Sequence, residues 1–196
     1  KKVSYYLPKL GSGYANAKVH DVLNMNVINA YTEDYTKAYS SSFLHEPVGG
    51  WRLPKNGDKH LSQEDYLNTI KSKKNRNLKN KSNLAFYKSA NTDVIGLIVE
   101  KISGKPLRHW MLRAVEAAGF EEGIYIASDR YGMPWMSGGG CLITRDFLRM
   151  GLLFARKGKG VGNRKIGSAS FLDQTVKNVG PKYMNLSENK YLYYSN

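Results

Sequence analysis

Phe86-Tyr87-Lys88-Ser89-Ala90-Asn91-Thr92-Asp93-Val94-Ile95-Gly96-Leu97-Ile98-Val99-Glu100-Lys101-Ile102-Ser103-Gly104 is the stretch whose reading decides the fold. Ser89 to Asn91 can open a helix, and Val94, Ile95, Ile98, Val99 and Ile102 then recur at the spacing of one wide helical face. Ser103-Gly104 supplies the stop, because glycine enters the left-handed region at little cost. The pattern predicts the most buried helix of the chain.

Working outward, Pro106 suits the first turn of a following helix that carries Leu107, Trp110, Met111, Ala114 and Val115 and ends at Gly119. Upstream, Ser62 and Asp65 have the spacing of a capping box, with Leu61 and Tyr66 as its hydrophobic staple and Leu67 and Ile70 as the buried face. Three further helices are expected. The first runs from about Asn16 to Asn24, capped by Asn16. Another starts at Thr144, with Asp146 at its positive end and Phe147, Met150, Gly151 and Phe154 turned inward, and closes at Lys157-Gly158. A last one starts at Ser168 or Ser170 and continues through Phe171, Leu172, Thr175 and Val176, after a hairpin or loop over Gly160 to Ile166. Only Gly123 to Ala127 and Tyr191 to Tyr194 read as strands.

The chain's 196 residues, 41% of them hydrophobic, suit one compact unit over 1–196 rather than two. No apolar run reaches the roughly 18 residues of a membrane span, and Lys1-Lys2-Val3-Ser4-Tyr5-Tyr6 lacks the apolar centre of a signal peptide. The lone Cys141 reads as a small buried side chain. A net charge of +14 would attract polyanions, most densely at Lys71, Lys73, Lys74, Arg76, Lys79 and Lys81. That cluster has no interleaved aromatic to stack a base, so a solvated loop is the expected reading and a nucleic-acid partner is not. His20, His45, His60 and His109 show neither a Ser-His-Asp arrangement nor metal-ligand spacing.

Four stretches in one order carry a family resemblance. They are Tyr6-Leu7-Pro8-Lys9-Leu10 with Val19-His20-Asp21-Val22-Leu23-Asn24-Met25; the tyrosine segment quoted above with its continuation to Leu107; Ser137-Gly138-Gly139-Gly140-Cys141-Leu142-Ile143-Thr144-Arg145-Asp146-Phe147-Leu148-Arg149-Met150-Gly151; and Gly158 to Ile166 before a helix ending near Thr175. Together they resemble the middle of the β-lactamase-related serine hydrolases, a group that spans class C β-lactamases, penicillin-binding proteins, esterases and 6-aminohexanoate-dimer hydrolases. Glu33-Asp34-Tyr35, Gly50-Trp51 and Ser89 to Asp93 look closest to the last branch. The resemblance implies an α+β β-lactamase/transpeptidase-like fold of which this chain covers mainly the helical part, α-rich with few short strands.

It also implies chemistry. In the family a Ser-x-x-Lys places nucleophile and lysine on one helical face, and a tyrosine from a second motif carries protons beside them. The matching tyrosine is Tyr87, and a phenol becomes a useful relay only next to cations that favour its charged form. Ser89 matches the third position of the tyrosine motif, where many relatives have asparagine, and is expected to contact substrate with a hydroxyl in place of an amide. Trp51 is expected to wall the acyl-side pocket. The Ser-x-x-Lys and the family's late His/Lys-x-Gly strand would lie outside Lys1–Asn196, because the literal Ser187-Glu188-Asn189-Lys190 and the Tyr-x-Asn strings at 183 and 194 stand in the wrong order. Asn26-Val27-Ile28 departs from the usual Thr-Ser-Gly after the first helix, which puts that loop's family conformation in doubt. The expected partner is a small-molecule or peptide-like amide or ester, with no metal or organic cofactor required. The alternative is a catalytically incomplete binding protein for peptide or cell-wall fragments. Compartment is not legible, although the family makes a periplasmic or secreted location reasonable.

Overall fold

The computed structural model describes residues 1–57, 61–73, 84–177, 183–186 and 190–193. Among these residues seven α-helices and three short strands follow in chain order, besides two single-turn 3-10 helices at Val3–Tyr5 and Val161–Asn163: α1 (Val19–Leu23), α2 (Ser41–His45), α3 (Gln63–Thr69), β1 (Leu84–Ala85), α4 (Ser89–Ser103), α5 (Leu107–Ala118), α6 (Thr144–Ala155), α7 (Ala169–Val176), β2 (Tyr183–Leu186) and β3 (Lys190–Tyr193). β1 pairs parallel to β2 and β2 antiparallel to β3. The helix-rich balance with few strands agrees with part of a β-lactamase-like fold. No helix among the described residues is long and apolar enough to cross a membrane.

α4 is the axis of the core. Its Val94, Leu97 and Ile98 are buried with Val3, Tyr14, Val22, Val27, Leu67, Ile70 and Leu107 in one cluster, each large aliphatic contributing roughly 1.5–3 kcal/mol on removal from water. Polar ties set its register. The Tyr14 hydroxyl donates to Asn91 Oδ1 at 2.8 Å, and Asn91 Nδ2 donates to the carbonyl of Val22 at 3.2 Å, joining α4 to α1 inside the core. Ile102, expected on the buried face, is instead exposed as the helix runs out beyond its neighbours.

The local signals translate directly. Ser62 accepts from the Asp65 backbone while the Asp65 carboxylate accepts from the Ser62 N–H, completing the capping box of α3. Gly104 and Gly119 end α4 and α5 in left-handed conformations, and Ser168 accepts from the Phe171 N–H at the start of α7.

Non-local contacts overturn other expectations. α1 begins after Lys18 without a side-chain cap, because Asn16 accepts from Lys2 Nζ. α6 starts at Thr144 with Ile143 at its cap and is turned by about a quarter turn from the expected face: Asp146 and Leu153 are buried and Met150 packs beside them, whereas Phe147, Gly151 and Phe154 are exposed. Asp146 causes this, since its carboxylate accepts from the backbone N–H groups of Glu121 and Glu122 and from Arg149. Gly123 to Ala127 forms only an isolated bridge, Tyr125 to Cys141, and Cys141 is exposed rather than buried. The helix α2 and the strands β1 and β2 were not expected. Of the basic cluster, Lys71 and Lys73 are exposed; Lys74, Arg76, Lys79 and Lys81 lie outside the described residues, as do His60 and most of the literal Ser187 to Lys190 string.

Candidate active site

Tyr87 sits in the extended segment between β1 and α4, tied by the Phe86 N–H to the carbonyl of Met25 at 2.7 Å. It is half-buried, and its phenol makes no hydrogen bond among the described residues. Alternation along this extended segment turns Lys88 away from Tyr87. Lys88 is buried and donates from Nζ to the Tyr31 carbonyl at 2.7 Å. Burial pushes its ammonium down to about 8, Lys73 adds to the push and Glu33 opposes it.

Ser89 is the first residue of α4, not its cap. Its N–H donates to Glu33 Oε2 at 2.8 Å and its hydroxyl to Glu33 Oε1 at 2.6 Å. Tyr35 donates its phenol to the same Glu33 carboxylate at 2.5 Å. Burial and the adjoining Glu33 anion push the Tyr35 phenol well above its ordinary range, and Tyr87 is close enough to add to that push. Glu33 therefore gathers Tyr35 and Ser89 beside Tyr87. With its proton given to Glu33, Ser89 Oγ offers an incoming group lone pairs rather than a donor.

Trp51 follows α2 through Gly49-Gly50. Its ring is half exposed and packs at a tilt against Trp135, centroids 5.7 Å apart. A Cβ at Gly139 would meet the Trp51 ring at 2.5 Å, so the backbone of the glycine run passes closely beside this ring at Gly139. Gly50, at φ +74°, turns with no room for a side chain, a Cβ there meeting the Ser128 carbonyl at 2.3 Å. Trp51 connects to the Tyr87 cluster through packed rings: Trp135 lies edge-on to His45, and His45 edge-on to Tyr31, whose carbonyl holds Lys88. The structure thus brings Tyr87 and Ser89 together and sets Trp51 at the far end of an aromatic relay.

Among the hollows formed by the described residues, two lie close to α4. One of about 440 Å³ is lined by Ser62, Glu64, Asp65, Glu100, Arg108 and Asp129, and three of its carboxylates, Asp65, Glu100 and Asp129, accept from backbone N–H groups at Ser62, Leu107, Tyr131 and Met133. The other, about 230 Å³ and mainly apolar, lies between α1 and α4 at Leu23, Ile95 and Val99. Among the described residues no group of three or more His, Cys, Asp or Glu side chains is placed to hold a metal.

Glu33 is the site residue that local reading missed. It stands 56 positions from the serine it binds, and no spacing rule joins the two.

No family model matches the chain. It is 31% identical over 173 residues to the 6-aminohexanoate-dimer hydrolase of Paenarthrobacter ureafaciens, a match covering 84% of this chain and 41% of that protein. A solved structure from Bacillus anthracis, provisionally named as a 6-aminohexanoate-dimer hydrolase, superposes with a TM-score of 0.73 at 22% identity, over 91% of this chain and 46% of that one. The chain therefore spans less than half the length of each relative. The sequence match and the shared fold support a segment of a β-lactamase-related hydrolase. Within that class, the relatives it matches carry the name 6-aminohexanoate-dimer hydrolase.

Proposed function

We infer that this segment serves a serine hydrolase that cleaves an amide or ester through an acyl-enzyme, with Tyr87 as proton carrier, Ser89 at the substrate and Trp51 as a wall of the acyl-side pocket. One observation carries the reading: a half-buried phenol at position 87, free of hydrogen bonds among the described residues, standing beside an organised Glu33–Ser89–Tyr35 cluster at the start of α4. A tyrosine serving only as packing would bury its ring and satisfy its hydroxyl. A partly exposed phenol can exchange a proton with a nucleophile delivered against it.

The nucleophile and its lysine come, in this reading, from a Ser-x-x-Lys contributed by the rest of the relatives' length. Such a lysine supplies the cation that makes a phenolate accessible. Acyl transfer then proceeds in two steps. The serine oxygen adds to the carbonyl carbon as its proton passes by way of Tyr87 to the leaving group, and water later repeats the attack on the acyl-serine. 6-Aminohexanoate-dimer hydrolysis, the activity named for the relatives, falls inside this amide class.

The test is covalent labelling, by a fluorophosphonate or a fluorescent penicillin, of the protein that carries this segment. Labelling is expected in the parent, and Tyr87→Phe is expected to slow it by roughly 10²–10⁴-fold with the melting temperature unchanged. A parent that never labels, yet binds peptide or cell-wall fragments with a change in tryptophan fluorescence, would replace this reading with that of a non-catalytic binding protein.

A further inference from the structure

Beneath the Trp51 surface, three polar atoms from three separate elements converge without a hydrogen-bond partner: His45 Nε2 at the end of α2, Asp93 Oδ2 in the second turn of α4, and Ser137 Oγ just ahead of the glycine run. His45 and Asp93 are both fully buried. Their facing atoms are 3.7 Å apart, beyond direct hydrogen-bond reach. Ser137 lies close enough to draw the Asp93 carboxyl down against the larger upward push of burial, without reaching bonding geometry itself. Buried groups left this way are costly, and native interiors resolve them with ordered water.

We propose that His45 Nε2, Asp93 Oδ2 and Ser137 Oγ form a buried hydration site for one water molecule, which registers α2, α4 and the segment leading into Gly138–Gly140 and so holds Trp135 and the Trp51 ring packed on it in place. Three partners from three directions are the usual set for a buried water. The proton inventory closes on it. Asp93 Oδ1 already accepts from the Met136 N–H at 2.9 Å, which leaves a carboxyl proton to Oδ2. The water accepts that proton's hydrogen bond and donates to His45 Nε2 and to Ser137 Oγ. His45 then carries its own proton on Nδ1, facing the Tyr31 hydroxyl 3.3 Å away.

Between about pH 3 and pH 7 the pair is neutral, because burial opposes charge on both partners. It drives the imidazole down to about 3 and the carboxyl up to about 7. The titratable groups facing the pair are Tyr31, Tyr66 stacked on the imidazole at 4.5 Å, and Glu33, whose anion reinforces the upward push on Asp93. On folding, the lowered imidazole gives stability that grows as pH rises from about 3 to 6.5, and the raised carboxyl gives stability that is lost from about 4 to 7. The two trends run against each other, so a melting curve against pH cannot report on this pair. Spectroscopy of the imidazole can.

The experiment uses the ¹⁵N- and ¹³C-labelled chain and reads His45 together with long-lived water contacts to its ring. None of it depends on hydrolase activity, so its failure and that of the functional reading are separable. The expected result is a neutral Nδ1–H imidazole from about pH 5 to about pH 8, with a slow-water Overhauser effect at the His45 ring. An imidazolium in that range, or a ring with no bound water, overturns the site. Ser137→Ala is expected to abolish the water contact and to raise iodide quenching of tryptophan fluorescence, since Trp51 is half exposed. Quenching that stays at the parent value overturns the positioning role, and should this variant not fold, the parent spectra still decide the site.

Discussion

Lys88 buries an ammonium against a single carbonyl, and its titration gives that arrangement a sign. Its value falls from the ordinary 10.5 to about 8, a difference of about 3–4 kcal/mol at 1.4 kcal/mol per tenfold. Below about pH 8 folded and unfolded chains both carry the proton, and the folded state bears the cost of the buried charge. Between about 8 and 10.5 the unfolded chain alone keeps it, so stability rises with pH through that window. Lys88→Met is therefore expected to stabilise the chain at pH 7, by an advantage that shrinks towards pH 10.5; urea denaturation at the two ends of the window measures it. Glu33 works in the opposite sense. Its carboxylate accepts from the Ser89 N–H, the Ser89 hydroxyl and the Tyr35 phenol, and Glu33→Gln turns one acceptor into a donor facing donors. A loss of about 2–3 kcal/mol is expected, from charge-assisted bonds worth about 1.5–3 kcal/mol each. A loss below about 0.5 kcal/mol in a chemical melt would show that Glu33 does not hold the cluster together.

At the scale of elements, what could be read from sequence was what is settled within a turn or two of chain. Ser62 and Asp65 are three residues apart and close their box by themselves, and Gly104 and Gly119 stop their helices wherever those helices are packed. The two glycines also differ in a measurable way. A Cβ at Gly104 meets nothing within 4 Å, whereas one at Gly119 would stand 3.1 Å from Val161. Gly104→Ala should cost only its left-handed backbone, about 1 kcal/mol, and Gly119→Ala should cost more, a contrast that thermal melts of the two variants would settle. The turn of α6 about its axis was not legible, because the Asp146 carboxylate is fixed by backbone groups at 121 and 122 and apolar periodicity carries no record of that bond. α2 escaped for another reason: five residues, Ser41 to His45, are too few to show a period. Tyr87 and Ser89 are legible only through family resemblance, and that resemblance gives Glu33 no role. Its function depends on a contact that sequence spacing cannot encode.

For the molecule as a whole, the outward face of α6 has the wrong chemistry for water. Thr144, Phe147, Leu148, Gly151, Leu152, Phe154 and Ala155 are all exposed and cover roughly 160° of the helix at 100° per residue, an arc that contains no charged side chain. Phe147 and Leu148 expose 69% and 64% of their surface. Each would gain roughly 1.5–3 kcal/mol if covered, and a contiguous patch of this kind marks a docking surface. Each relative is more than twice the length of the matched segment, and on the function proposed above the layer that would cover this face is the part of that length the segment does not match. Replacing Phe147 by Lys and Leu148 by Glu tests this in both directions. The double variant of this chain should melt within a few degrees of its parent, since neither side chain supports the chain's own core, while its binding of a hydrophobic dye and its self-association in sedimentation should fall. In the longer protein the same pair should cost several kcal/mol by placing two charges in a dry seam, and covalent labelling should drop with it. Equal destabilisation of the segment and the longer protein would mean that α6 faces solvent in both, and that the nucleophile docks elsewhere.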